Sequence, residues 1–400
     1  MKSELLAPAG TLEKLKWAVA YGADAVYFGT SFGSLRSFAG NFSLEQAQEG
    51  LDHLHRHGCK GYVALNIYPF SDEYDPLIHT AQALDEMGVD ALIVADMGVL
   101  FALKRLGLRA DLHVSTQANT TSWQTVLAYH DLGARRVNLA RELSLEQIRQ
   151  IQSALKGRIE TEVFIHGAVC FSYSGRCAIS DYMTGYRANH GQCKHPCRWG
   201  YVLMEEKRPG QAYPVFEDPR GLYLFNNKDL ALFEFVPALK ETGVAGFKIE
   251  GRMKSIHYIA SVVSFYRRVL DGESFTAPEG FDLLGRVSNR GYSTGFMKGS
   301  ITPDDYSVLE SYSHTEAVFV GNVTGLNAQG LSIVEVRNKI YAGDRLEILQ
   351  PDGSLSERIL PQPLITIQGR PVDFANNSQF ILVPGELPEY TILRRVTPCK

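Results

Sequence analysis

The sequence lacks any run approaching the roughly 18 apolar residues that a membrane span needs. Its first residues, MKSELLAPAG, lack the basic-then-apolar pattern of a secretory leader. The expectation is a cytoplasmic protein with no membrane partner. Charge of one sign is also missing. A formal net charge of -4 over 400 residues gives no global basic field for nucleic acid, although a local basic pocket stays open. The biases of disordered and fibrous chains are absent too: 45% of residues are hydrophobic and 21% charged, enough to bury the cores of two domains. HExxH does not occur, so no zinc-protease helix is encoded. Cysteine is scarce, six in all. In a reducing compartment, cysteines that gather more often mean metal or catalysis than disulfides.

Four of those six do gather, in the stretch VCFSYSGRCAISDYMTGYRANHGQCKHPCRWGY. What precedes the stretch is a repeated unit. Helix-like segments end at Gly22, Gly58, Gly88, Gly107, Gly133, Gly157 and Gly243, and each leads into a short apolar run. Glycine accepts the left-handed conformation that closes a helix. Runs of about five residues rich in Val, Ile, Phe and Tyr suit parallel strands buried on both faces. With the opening ELLAPAG there are eight such strands. The α/β fold expected is a (β/α)8 TIM-like barrel, with an open doubly wound sheet as the alternative.

A barrel places functional groups just after its strands. That ring comprises Pro8 and Gly10, Gly29, Asn66, Asp96, Gln117 and Asn119, Arg141 and Glu142, His166 and Gly167, then Glu250, Arg252 and Lys254. Any one member can equally be a strand cap. The gap between Gly157 and Gly243 is too long for one helix, so a cysteine-rich insertion, 168–240, is expected after the seventh strand. The barrel with its insertion would span 1–275. A Gly-, Ser-, Asp- and Pro-rich linker would span 276–315, and a small C-terminal antiparallel β-barrel 316–400, where short strands alternate with turns.

Cys170, Cys177, Cys193 and Cys197 are separated by six, fifteen and three residues. Neither outer pair is the two-residue knuckle usual in structural zinc sites. Four thiolates satisfy tetrahedral zinc or an iron–sulfur cluster, and two of the four could be ordinary buried thiols. Arg176, Arg187, Lys194 and Arg198 face a single acid, Asp181, within this segment. Positive charge of that kind lowers thiol pKa and offsets an anionic cluster. His166, His190 and His195 are more suited to orienting neighbours or touching substrate than to replacing sulfur. Cys59 begins a strand, and Cys399 lies at the tail.

EVFIHGAVCFSYSGRCAIS resembles the signature of peptidase family U-32. GQCKHPCRWGY, NNKDL, FKIEGRMKS and NRGYSTGF extend the resemblance downstream, and ELLAPAG and ADAVYFG extend it to the N-terminus. The C-terminal strands, with ILRR near their end, are similar to the branch that hydroxylates tRNA. The resemblance implies an iron–sulfur cluster, 4Fe-4S, held at Cys170, Cys177, Cys193 and Cys197. It also implies 5-hydroxyuridine formation at the tRNA wobble position, supported by prephenate. Other relatives hydroxylate ribosomal RNA or a quinone ring, and older members carry a collagenase label.

On that reading tRNA and prephenate are the partners. Arg176, Arg187, Lys194, Arg198 and Lys254 would hold phosphate or carboxylate. Tyr173 and Trp199, with Phe171 and Tyr186, would stack a flipped base, or else only pack around the metal site. Glu250, Arg252 and His166 are the candidate catalytic groups, an ion pair of Glu250 with Arg252 or Lys254 being the plainer reading. A cysteine protease would need one activated thiol with a histidine base and would leave three thiols unexplained. An RNA-binding protein with a structural metal site is the non-enzymatic alternative.

Overall fold

The computed structural model describes residues 3–34, 41–169, 179–186, 188, 192–198, 203–204, 212–213, 216–218, 221–223, 228–300, 305 and 314–396. Eight parallel strands form the first sheet: β1 Glu4–Pro8, β2 Ala25–Gly29, β3 Lys60–Leu65, β4 Ala91–Val94, β5 Asp111–Val114, β6 Arg136–Asn138, β7 Glu160–Gly167 and β8 Gly246–Ile249. Each pairs with the next, and β8 pairs with both β7 and β1, so the sheet closes on itself. The expected (β/α)8 barrel is present. The seven helix-closing glycines all adopt positive φ, from 65° to 96°, a region in which a Cβ would be strained. Helix starts follow the same local logic. Ser43 and Ser144 make reciprocal capping boxes with Gln46 and Gln147. Asp96, one of the ring residues, caps its helix by accepting from Val99 N at 2.9 Å.

The insertion was expected to run to residue 240. The chain rejoins the barrel sheet earlier, where Asp229–Ala231 pairs antiparallel with the end of β7, Leu230 opposite Gly167 and Ala231 opposite His166. Val236–Thr242 is already the barrel helix that leads into β8. Between these points the described parts include helix Ile179–Thr184, a single turn Pro196–Arg198 and short antiparallel ladders.

The chain divides into two compact units, and the division cuts across the stretch read as a linker. Residues 290–313 belong with the barrel, where Tyr292–Ser293 pairs with Asp229–Leu230. Residues 255–289 belong with the C-terminal sheet and contain helices Ile256–Leu270 and Ala277–Gly285, the second started by a Thr276 capping box. The C-terminal sheet has eight strands joined by seven antiparallel pairings, with Ala317–Leu326 and Ser332–Val336 at its centre. The expected C-terminal antiparallel domain is present, and its two outer strands do not pair with each other among the described residues. Among the described residues no helix is long and apolar enough to cross a membrane.

Side chains alternate along a strand, so every second residue of a closed barrel points inward. From β1 to β4 these are Leu6, Ala25, Tyr27, Tyr62, Ala91 and Ile93, which form one buried cluster. From β5 to β8 most are polar, namely His113, Arg136, Asn138, Glu162 and Lys248, all buried, with Phe164 following Glu162 on the inward face of β7. Glu162 accepts from Lys248 Nζ and Asn138 Nδ2, both at 2.8 Å. Arg136 reaches Glu4 at 2.5 Å, Glu160 at 2.8 Å and Glu162 at 3.5 Å. Burial opposes the Arg136 charge, yet Glu4 and Glu162 hold it above its ordinary range.

Candidate functional site at the barrel mouth

The mouth is built directly above that ionic layer. Lys248 Nζ lies 4.4 Å from the Tyr27 ring centroid and 5.4 Å from that of Phe164, so two aromatic rings cover the buried cation. The Tyr27 hydroxyl points on toward the mouth. It shares its proton between Ile249 O and Glu250 Oε2, 3.1 Å from each. Burial first, then the Glu250 charge, raises the Tyr27 pKa well above its usual value, so the phenol stays protonated and donates. Glu250 is half-buried just past β8, and its own N–H donates to His166 O at 2.9 Å. That approach depends on Gly167, where a Cβ would stand 2.4 Å from Glu250 O.

Arg252 and His166 are both buried, 3% and 1% exposed. The Arg252 guanidinium donates to Ser34 Oγ at 2.7 Å and occupies space that Gly29 leaves empty, since a Cβ there would be 2.3 Å from Nη1. Arg252 therefore sits in the wall of the mouth. The His166 ring lies 5.5 Å from the Tyr292 ring. Burial lowers its pKa to about 3, with Asp229 opposing and nearby Lys254 assisting. It is neutral at physiological pH and can exchange hydrogen bonds, but it carries no imidazolium proton to deliver. Asp229 is in turn held by Arg290. Lys254 closes a turn, its N–H donating to Gly251 O at 2.8 Å.

Two of the four expected metal ligands are described. Cys193 and Cys197 are both half-buried and make no disulfide. The chain between them is folded so that His195, at φ 57°, turns its N–H back onto the Cys193 sulfur at 3.4 Å, with its Nδ1 at 3.9 Å. Hydrogen bonds to sulfur are among the contacts that tune a thiolate-held metal centre. The donor type and its hydrogen bonding thus fit a thiolate-held cofactor. Lys194 N donates to the buried Ser180 Oγ at 3.2 Å and ties this segment to helix Ile179–Thr184. The Lys194 ammonium lies 4.5 Å from the Tyr186 ring centroid. Cys170, Cys177, Arg176, Arg187, Tyr173 and Trp199 fall outside the described residues, as do Phe171 and His190, and so does the side chain of Arg198.

Tyr27, Ser34 and Phe164 were not among the sequence candidates. Tyr27 could have been found from strand parity, because it shares the inward face of β2 with Gly29, itself a ring residue. Arg141 was in the ring but not among the candidate binding groups. It lies three residues past β6, its guanidinium 3.8 Å from the Phe164 ring centroid and its Nη1 donating to Ala168 O at 2.8 Å.

Comparison with known proteins adds a lineage to this geometry. The model of peptidase family U32 matches residues 10–305, and that of the peptidase family U32 C-terminal domain matches residues 315–394. The chain is 37% identical over 399 residues to tRNA hydroxylation protein P of Escherichia coli, covering 89% of this chain and 88% of that one. It is 38% identical over 358 residues to tRNA hydroxylation protein P1 of Bacillus subtilis, covering 88% and 84%. Over 269 residues it is 39% identical to the 23S rRNA 5-hydroxycytidine C2501 synthase of Escherichia coli, covering 67% of this chain and 39% of that one.

Proposed function

This chain belongs to peptidase family U32, and from that membership we propose that it is an RNA hydroxylase acting on tRNA. The observation that carries the reading is likeness along nearly the whole length to two tRNA hydroxylation proteins, with a third relative named for hydroxylating ribosomal RNA. The finer reading is conversion of wobble uridine to 5-hydroxyuridine, dependent on prephenate and on an iron–sulfur cluster.

Cys170, Cys177, Cys193 and Cys197 are the residues that would hold the cluster, which when bound supplies electron transfer or Lewis acidity. The remaining work falls to side chains of the mouth. Glu250, oriented by Tyr27, is the carboxylate at the mouth placed to accept a proton from a bound substrate. Neutral His166 offers a hydrogen bond, and Arg252 fixes the wall beside Glu250. Lys194 and Tyr186 present a cation and a ring together, a pairing suited to a phosphate next to a stacked base.

A peptidase reading has one observation in its favour, the contact of Cys193 with His195. At 3.9 Å to Nδ1, with the same sulfur already taking the His195 N–H, the pair is better arranged for ligation than for proton transfer. Nucleoside mass spectrometry decides the main reading. tRNA from a deletion strain should lack 5-hydroxyuridine and its derivatives, and Cys197→Ser should fail to restore them. Unchanged tRNA nucleosides in the deletion strain move the activity to another substrate. Metal analysis of anaerobically purified protein separates iron and sulfide from zinc, the competing occupant of the thiolates.

A further inference from the structure

We infer that Arg141 anchors a carboxylate of a small co-substrate at the mouth of the barrel. The inference deepens the hydroxylase reading and rests on it for the presence of such a co-substrate.

Two arginines at β6, one at its start and one past its end, have opposite fates. Arg136, at its start, is saturated by Glu4, Glu160 and Glu162. Arg141, just past its end, makes no ion pair among the described residues, and its single hydrogen bond there is from Nη1 to Ala168 O. Its Nε is buried and has no hydrogen-bond partner among the described residues. A half-buried cation with an unmet donor is costly in an empty site and is relieved by an anion. The free edge of the guanidinium, Nε with Nη2, offers two parallel donors. That fork matches the two oxygens of a carboxylate. Phe164, 3.8 Å below, fixes the plane of the fork and supplies an apolar wall.

Depth selects a small molecule over an RNA backbone. The Arg141 guanidinium lies over the buried Phe164 ring, the same ring that covers Lys248 inside the barrel. A compact acid entering the mouth can come this far, whereas a phosphodiester chain is held to the rim. The neighbouring strand offers further unmet polar atoms. Past β5, Gln117 Oε1 and Thr120 Oγ1 are buried without hydrogen-bond partners among the described residues, suited to a hydroxyl group of the same ligand. Ala168, the acceptor of Arg141, is two residues before Cys170, so the carboxylate would lie beside the start of the cysteine segment.

The test is calorimetric titration of the full-length protein with prephenate and, separately, with an anticodon stem–loop RNA. Arg141→Gln should raise the prephenate dissociation constant about 10- to 100-fold and leave RNA affinity within about twofold. Arg141→Lys, which keeps charge but loses the fork, should fall between the two. In turnover, the loss should appear in KM for prephenate, with little change in kcat. Thermal unfolding checks each variant, and Arg141→Lys serves if the glutamine variant does not fold. Unchanged prephenate affinity in either folded variant overturns the inference. So does a loss confined to RNA, which would assign the arginine to a phosphate. A wild-type protein that does not bind prephenate overturns it as well, while tRNA hydroxylation stands or falls separately on the nucleoside analysis.

Discussion

The barrel interior and the core of the C-terminal sheet are both sealed from water, but they are made of different material. The C-terminal core is aliphatic throughout: Val320, Val334, Leu346, Ile348, Ile381 and Leu393 are among its fully enclosed members. Its unit keeps buried charge on the other face of the sheet, where Arg394, next to Leu393, meets Glu347 at 2.6 Å and Ser261 at 3.0 Å. The barrel has no second sheet face on which to put its polar residues, because closure turns alternate residues of every strand inward. Its ions are therefore stacked under its site. Glu162 holds Lys248, Lys248 lies under Tyr27 and Phe164, and those two rings support Glu250 and Arg141. An aliphatic core supports a shape. The ionic interior of the barrel supports the orientation of two charged groups at the mouth.

The largest effect should come from breaking the ionic layer at its centre. Glu162→Ala leaves Lys248 buried without its carboxylate, and removal of one partner of such a pair costs about 3–5 kcal/mol. Adding Lys248→Met should recover much of that loss in stability without recovering activity. The aliphatic counterpart, Ile381→Val, should cost only about 1 kcal/mol and leave turnover unchanged. Urea unfolding and a hydroxylation assay measure both quantities. If Glu162→Ala proves as mild as Ile381→Val, the ionic layer has no special structural role.

Acid offers an intermediate probe, because both units bury neutral histidines: His113, lowered well below its ordinary pKa, and His166, lowered to about 3, in the barrel, and His257, also lowered to about 3, beside Arg394. Unfolded, these imidazoles titrate near 6.5, so below that pH the unfolded chain binds more protons than the folded one. Stability is then complete above about pH 6.5 and falls as pH drops toward 3, by roughly 1.4 kcal/mol per pH unit for each histidine. At pH 5 each should have cost about 2 kcal/mol. His166→Gln should flatten the acid limb of barrel unfolding and His257→Gln that of the C-terminal unit. Unchanged slopes in both variants would show that other groups set the acid response.

Much of this fold was legible because one local event repeats. Each barrel helix must be closed, glycine closes it most easily, and seven of these closures register in the sequence before any strand is paired. The mouth followed from polarity alone, since residues just past parallel strands share one end of the barrel. The ionic layer was not legible, because Glu4 and Arg136 lie 132 residues apart and meet only through closure of β8 onto β1 and β7. Nor did sequence separate Arg141 from Arg252. Both follow strands, and what differs is that Arg252 fills the space left by Gly29 while Arg141 Nε has no hydrogen-bond partner among the described residues. The cysteine spacing pointed to a shared cofactor, and only its second pair can be followed in the structure, where the His195 backbone supports the Cys193 sulfur.

The smallest change tests the join between the two layers of the barrel. Tyr27→Phe keeps the ring over Lys248 and removes only the hydroxyl that Ile249 O and Glu250 Oε2 share. Stability should fall by about 1 kcal/mol, the usual net worth of one hydrogen bond, because the ring still packs and the Ile249 carbonyl loses only one partner. Glu250, however, loses a donor that orients its carboxylate. Turnover should therefore fall several-fold with KM for RNA unchanged, and Ile381→Val, similarly mild in stability, should show no such fall. Equal turnover in the two variants would mean that Glu250 keeps its orientation without Tyr27, and that the ionic layer and the mouth are neighbours rather than a support and its load.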